Sequence, residues 1–180
     1  MTSLKINSFN ARGLGNDKKR RSIFHWLKHF YKGICLLQET HSTPSSVEQW
    51  EKEWGGNIVF NHGTNKSKGV AILFPSSINV DVNQCLKDNE GGLIVVDIDI
   101  AGQNMIIGNI YAPTQDNEDE QIMLIEQLNV MLNNFQDRNI ILGGDFNVYI
   151  DPKLDKKGGN LQKISRYSTF LSTFNESTIH

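Results

Sequence analysis

The 180 residues contain only two cysteines, Cys35 inside an apolar run and Cys85 in a polar one. With no CxxC spacing and no second pair, a disulfide framework is excluded and a reduced, intracellular protein is expected. The start, Met1-Thr2-Ser3-Leu4-Lys5, passes directly into a strand pattern, so no basic-then-apolar leader is expected. No apolar run approaches about 18 residues, which argues against a membrane-spanning helix. Charge of one sign is also missing: the net value is −2, which argues neither for nor against a nucleic-acid partner. Internal repeats and low-complexity segments are absent as well. At this length one domain with a sizeable core is expected.

Local basic clusters remain: Lys18-Lys19-Arg20-Arg21, Lys66 with Lys68, and Lys153 with Lys156 and Lys157. Each could hold phosphate, although a solvated face is the commoner role of such runs.

Leu4–Phe9 alternates apolar and polar, predicting a half-buried strand that delivers Asn10 to its end. The glycine-bearing loop Ala11–Gly15 follows. Asn16 or Asp17 then caps a helix whose Ile23, Phe24, Leu27, Phe30 and Tyr31 recur at helical spacing, with Gly33 ending it. Ile34–Leu37 reads as a strand covered on both faces, running into Gln38-Glu39-Thr40-His41. Glu39 needs a partner there, because a carboxylate at the end of a buried strand is costly unless paired or bound to a cation.

Thr43-Pro44 suggests a capped short helix through Trp50 and Trp54. Five strands follow, at 57–61, 69–74, 78–85, 93–100 and 105–111, around a polar hairpin tip at His62–Lys68. Their short connections predict antiparallel meanders rather than a doubly wound parallel sheet. Tyr111 stands at the mouth of the last strand. Ile122, Ile125, Leu128, Leu132 and Phe135 define a long amphipathic helix.

The apolar run Asn139–Leu142 is expected to stop on Gly143-Gly144 and present Asp145 and Asn147 on one side. A charged loop at 151–160 and a last helix through Ile164, Tyr167, Phe170, Leu171 and Phe174 complete the reading. Taken alone, Asp145-Phe146-Asn147 reads equally as a turn satisfying its own backbone. Asn10 reads as a turn residue, and Tyr111 as a rim aromatic with its hydroxyl in water.

Together, four strand ends carrying Asn10, Glu39, Tyr111 and Asp145 with Asn147 converge on one rim if the strands lie side by side in two packed sheets. Carboxylate and carboxamide oxygens are the hard donors that Mg²⁺ prefers, with water or phosphate completing its shell. A tyrosine hydroxyl and Asn side chains suit phosphate oxygens and an attacking water. The set therefore fits metal-assisted phosphodiester hydrolysis.

Four motifs, Ser8-Phe9-Asn10-Ala11-Arg12-Gly13-Leu14, Leu36-Leu37-Gln38-Glu39-Thr40-His41, Asn109-Ile110-Tyr111-Ala112-Pro113 and Gly143-Gly144-Asp145-Phe146-Asn147, occur in that order. In order and spacing they resemble the endonuclease/exonuclease/phosphatase superfamily, and most closely the apurinic-type endonuclease domain of LINE-type (non-LTR) retrotransposons. The resemblance implies an α+β fold, the DNase I-like four-layer αββα sandwich. It implies Glu39 as the principal Mg²⁺ ligand, with Mn²⁺ as a possible substitute, and Asn10 and Asp145 supporting the metal. Asp145 would otherwise activate the attacking water. Asn147 would orient that group and the phosphate, Tyr111 would bond the scissile phosphate, and Arg12 would join the substrate contacts.

The implied reaction is DNA nicking that leaves a 3′-hydroxyl to prime reverse transcription. A reverse transcriptase domain would lie on the same chain of a full-length element, no membrane would be involved, and the location would be nuclear for a retroelement protein or otherwise cytoplasmic.

Two departures matter. Many apurinic endonucleases have an acidic residue where this chain has Arg12, and the Ser-Asp-His motif that orients the water does not occur in the 180 residues. His180, after Ser177-Thr178-Ile179, does not replace it. The expectation is a domain cut short of its last strands, incomplete at the C-terminus and with little activity. Two other readings share these residues: a phosphoesterase of the same superfamily acting on lipid or inositol phosphates, and a non-catalytic retroelement remnant that at most binds nucleic acid.

Overall fold

The computed structural model describes residues 4–114, 117–135 and 137–148. The expected loop at 151–160 and last helix at 164–174 lie outside the described residues.

The strand β1 (Ile6–Asn10) is followed by α1 (Asp17–Trp26), β2 (Ile34–Gln38) and α2 (Val47–Trp54). Then come β3 (Ile58–Asn61), β4 (Val70–Leu73), β5 (Asp81–Lys87), β6 (Leu93–Ile100) and β7 (Gln103–Tyr111). The helix α3 (Glu118–Leu132) and the strand β8 (Asn139–Asp145) complete the described elements. Two four-stranded sheets result, ordered β1-β2-β4-β3 and β5-β6-β7-β8.

Side-chain alternation sorts the layers. In β2, Cys35 and Leu37 face a helical cluster with Phe24, Trp50 and Trp54, whereas Ile34 and Leu36 face the second sheet. In β6, Ile94, Val96 and Ile98 meet the first sheet while Leu93 and Val95 pack under Leu124, Ile125 and Leu128 of α3. Helices, sheet, sheet, helix is the order, which is the expected αββα sandwich of an α+β protein.

The meander expectation holds for β5-β6-β7, which pair antiparallel, and for the β3/β4 hairpin. It fails in grouping: the five middle strands divide between two sheets, and each sheet is mixed. The pairs β1/β2 and β7/β8 are parallel, because α1 and α3 supply the long crossovers that parallel neighbours require.

Asn16 is the cap of α1, accepting from Lys19 N–H at 3.0 Å. Past Trp26 the helix widens to a π turn over Leu27–Tyr31 and ends on Lys32, which takes the left-handed conformation in place of Gly33. The wider turn shifts the apolar stripe, so Phe30, expected in the core, is 74% exposed.

The run Lys18–Arg21 is not a free basic face. Arg20 is buried, bonds Glu53 through Nε at 2.6 Å and Nη2 at 2.9 Å, and lies over the Trp50 ring. Arg21 also reaches Glu53, at 3.1 Å. The Arg20 guanidinium holds the Glu53 carboxyl down at about 2.

A second buried polar group joins the sheets. Asn109, fully buried on β7, donates to the Leu37 and Ala71 carbonyls at 2.9 Å each and accepts from Gln38 Nε2 at 2.7 Å. Among the described residues, no helix is long and apolar enough to cross a membrane.

Two predictions follow from these buried groups. Asn109→Ala removes three buried bonds, two to carbonyls and one from Gln38, and should cost about 2–4 kcal/mol in urea unfolding. Glu53→Gln should destabilise by about 3 kcal/mol at neutral pH, the scale for breaking a buried pair. Because the folded carboxyl titrates at about 2, below its ordinary 4.5, its stabilisation is complete above the ordinary value and fades as pH falls through the folded one. Urea midpoints measured against pH should therefore show a flatter acid limb in Glu53→Gln.

Candidate active site

Neighbouring strand ends set the site from both sheets. Asn10 pairs in register with Gln38, and Tyr111 with Asp145. Beyond β1 the chain keeps pairing: Ala11, Gly13 and Leu14 N–H groups donate to the carbonyls of Gln38, Glu39 and Thr40 at 2.8, 2.6 and 3.0 Å. Thr40 and His41 N–H groups bond the carbonyls of Gly69 and Lys68 on the other side. Glu39 thus leaves its sheet on a backbone held along both flanks.

Four non-glycine residues around the site, Arg12, Glu39, His41 and Asn147, have φ between 48° and 54°. Left-handed backbone at ordinary side chains is strained and survives only where the surroundings enforce it.

The strand β8 departs from expectation. It runs through Gly143-Gly144 to Asp145 instead of stopping on the glycines. Close approach is the reason: a Cβ at Gly143 would lie 2.7 Å from Leu36 Cδ1 of the facing sheet, and one at Gly144 would strike the Ile110 carbonyl. The glycines let β8 press against β7 and the first sheet, carrying Asp145 to Asn10.

The side chains then bond across the sheets. Asn10 Nδ2 donates to Glu39 Oε1 and to Asp145 Oδ2, both at 2.9 Å. Tyr111 Oη donates to the same Glu39 Oε1 at 2.9 Å. Burial, aided by Glu39 and Asp145, pushes the Tyr111 hydroxyl up to about 12, so it remains a donor. Asp145 Oδ1 accepts from the Asn147 N–H at 3.1 Å, and Asn147 Nδ2 bonds the Ala112 carbonyl at 2.6 Å.

Asn10, Glu39, Tyr111, Asp145 and Asn147 are therefore brought together. Asn147 orients Asp145 through its backbone, while its side chain holds the loop. Arg12 stands apart: its N–H caps Asn10 Oδ1 at 3.0 Å, and its exposed guanidinium has no partner among the described residues.

The site presents oxygen donors of the kind a divalent cation takes. Among the described residues there is no cluster of three or more His, Cys, Asp or Glu that could cage one. Mg²⁺ does not need a cage; one or two carboxylates with water and phosphate suffice. Glu39 Oε2 has no hydrogen-bond partner among the described residues, and Asp145 lies across the shared Asn10 amide, so the residues fit. Asn10 turns its nitrogen to both carboxylates, while its oxygen accepts from the Arg12 N–H.

Sequence reasoning quoted Gln38 and Asn109 within motifs without a role, and missed Gln121. Gln121, fully buried, donates to the Pro113 carbonyl at 2.6 Å and the Asn147 carbonyl at 3.2 Å, tying together the loops after β7 and β8. A polar residue within the otherwise apolar stripe of α3 was the available signal. Of the basic clusters, Lys68 is paired with Glu90 at 3.1 Å and Lys19 caps the Arg12 carbonyl at 2.7 Å. Lys153, Lys156 and Lys157 lie outside the described residues.

Comparison with known proteins agrees with this fold. An AP endonuclease from Archaeoglobus fulgidus superposes with a TM-score of 0.66 at 24% identity, covering 98% of this chain and 71% of its own. A mannosyl-6-phosphatase from Bacteroides thetaiotaomicron gives a TM-score of 0.63 at 16% identity, over 95% of this chain and 71% of its own. TDP2 of D. rerio, complexed with single strand DNA product, gives 0.60 at 19%, over 86% and 64%. These likenesses establish the DNase I-like sandwich.

In sequence, the Transposon TX1 uncharacterized 149 kDa protein of Xenopus laevis is 31% identical over 152 residues. That is 84% of this chain and 12% of that protein, so the chain spans only a small part of the relative's length. The model of the Endonuclease/Exonuclease/phosphatase family matches residues 3–178. With that match along nearly its whole length, the chain belongs to the endonuclease/exonuclease/phosphatase family of phosphoester hydrolases, and within it is similar to a transposon protein, consistent with a LINE-type endonuclease domain.

Proposed function

We propose that the chain is a divalent-cation-dependent DNA endonuclease domain of a LINE-type element, nicking one strand to leave a 3′-hydroxyl from which a reverse transcriptase on the same element can prime. The observation that carries this reading is the bonded cluster of Glu39, Asn10, Asp145 and Tyr111, drawn from the ends of strands in both sheets. The transposon relative and the DNA-processing neighbours support DNA as the substrate.

Glu39, with Asp145 across the Asn10 amide, would hold Mg²⁺, or Mn²⁺ in its place. Bound there, the cation would neutralise phosphate charge and lower the pKa of water. The chain's own groups do the rest. With Glu39 engaged by the cation, Tyr111 would turn its single hydroxyl proton from Glu39 Oε1 to a phosphate oxygen. Asp145, fixed by Asn10 and the Asn147 N–H, accepts a proton from the attacking water at its carboxylate. Arg12, exposed and left-handed at the rim, supplies a cation toward the DNA backbone.

Nicking of supercoiled plasmid tests the reading. Because Ser-Asp-His does not occur in the 180 residues, slow turnover is expected, and it is read with enzyme in excess. Nicking should require Mg²⁺ and fall by at least about 100-fold in Glu39→Ala and Asp145→Ala, the scale of losing a group that acts on the reacting atoms. Nicking that survives both changes, or faster turnover of inositol or lipid phosphoesters than of DNA, would overturn the proposal.

A pH profile tests Tyr111 separately. Its hydroxyl is held to about 12, so it donates below that value and loses the proton only above it. Tyr111→Phe should lower the nicking rate by about 10-fold or more, the worth of one bond to a charged group. Spectrophotometric titration of the metal-free protein, compared with Tyr111→Phe, should show this tyrosine ionising well above the ordinary value of about 10.

A further inference from the structure

Beside the cluster lies a cavity of about 360 Å³, between α3 and the turn that joins β5 to β6. Its size falls at the lower end of small-molecule pockets, about 300 Å³ and upward. Tyr111 is the shared wall. The hydroxyl bonds Glu39 and the same residue lines the cavity, so a group one sugar removed from a phosphate held at that hydroxyl is positioned to enter it.

The chemistry of the lining is divided. Pro113, Met123 and Leu124 join Tyr111 as apolar walls. Met123 is 56% exposed, an apolar side chain left in water at the mouth. At Gly92 a Cβ would stand 3.0 Å from the Tyr111 carbonyl oxygen and 3.6 Å from Leu124 Cδ1 and Asp88 Oδ2, so glycine lets this turn lie close against the Tyr111 backbone.

Around the rim, Glu120 and Gln127 have no hydrogen-bond partner among the described residues, and Lys68 is occupied with Glu90 at 3.1 Å. Asp88 is fully committed, accepting from the Asn61 amide and from the N–H groups of Glu90, Gly92 and Leu93. The acidic rim disfavours a second phosphate. Apolar walls, one of them the Tyr111 side of the cavity, with carboxylate and carboxamide acceptors at the rim suit a ring whose edge carries N–H donors.

We propose that this cavity is a nucleobase subsite, taking the base adjoining the phosphate at Tyr111 and favouring adenine, cytosine or guanine, whose exocyclic amino groups can meet Glu120, over thymine. Thymine offers one N–H flanked by two carbonyls, which a carboxylate repels. The inference rests on the phosphodiester-cleaving reading above for the phosphate's position, and its test does not depend on cleavage.

The experiment is a titration of the ¹⁵N-labelled 180-residue chain, in Mg²⁺, with dAMP, dCMP, dTMP and deoxyribose 5-phosphate. Binding of dAMP and dCMP should shift the amides of Gly92, Met123 and Gln127. Binding of dTMP should be at least about fivefold weaker, the lower end of discrimination by a well-placed polar pair. Deoxyribose 5-phosphate should leave the cavity amides unmoved.

Met123→Trp, a change at an exposed position, should fill the mouth and abolish the base-dependent shifts. Glu120→Gln should keep binding while reducing the preference for dCMP over dTMP. Equal affinities for all three nucleotides, or cavity shifts reproduced by the base-free sugar phosphate, would overturn the subsite, as would an absence of cavity shifts. Plasmid nicking without these shifts would leave the nuclease reading intact and sink the subsite alone; the shifts without nicking would do the reverse.

Discussion

The arrangement depends on one buried interaction, the amide pair of Gln38 and Asn109 between the two sheets. In a core filled mainly by apolar side chains, these groups must find partners or cost the fold dearly. Asn109 reaches the Leu37 and Ala71 carbonyls of the opposite sheet while accepting from Gln38. Hydrophobic contact alone would tolerate sliding of one sheet over the other, whereas a directional amide pair is satisfied in one alignment. Glu39 follows Gln38 and Tyr111 lies two residues beyond Asn109, so the same alignment brings their bond within reach.

Strain and glycine then refine what this alignment sets. Glu39, the first residue after β2, and Asn147, the second after β8, are bent into left-handed backbone, turning their loops away from the line of the sheet. The two glycines inside β8 let it come close enough for Asp145 to share the Asn10 amide with Glu39. Two carboxylates this near each other repel unless something positive or proton-donating stands between them. Asn10 and Tyr111 perform that role here, and a divalent cation bound at Glu39 would complete it.

Much of this was legible in the residues. Strand-end motifs and apolar periodicity located every described strand and helix, because period-two and period-3.6 patterns report burial directly. Partition of the strands between sheets was not legible: β4 and β6 are buried on both faces, so their sequences carry no mark of which neighbour each will pair with. Gly143-Gly144 looked like a strand terminus, since glycine punctuates strands in most settings; its use for close packing depends on Leu36, more than a hundred positions earlier. Arg20 looked solvated within its basic run, because Glu53 lies 33 residues away. Phe30 was misplaced by a π turn that no local pattern announced.

Asn10 and Asp145 are 135 residues apart. Their hydrogen bond closes almost the whole described chain into one loop, the kind of contact that forms late because its ordering cost precedes its reward. A nascent chain emerging from the ribosome therefore carries Asn10, Glu39 and Tyr111 without the second carboxylate until β8 has been synthesised and docked. Among the described groups of the site, the second carboxylate is therefore the last to arrive.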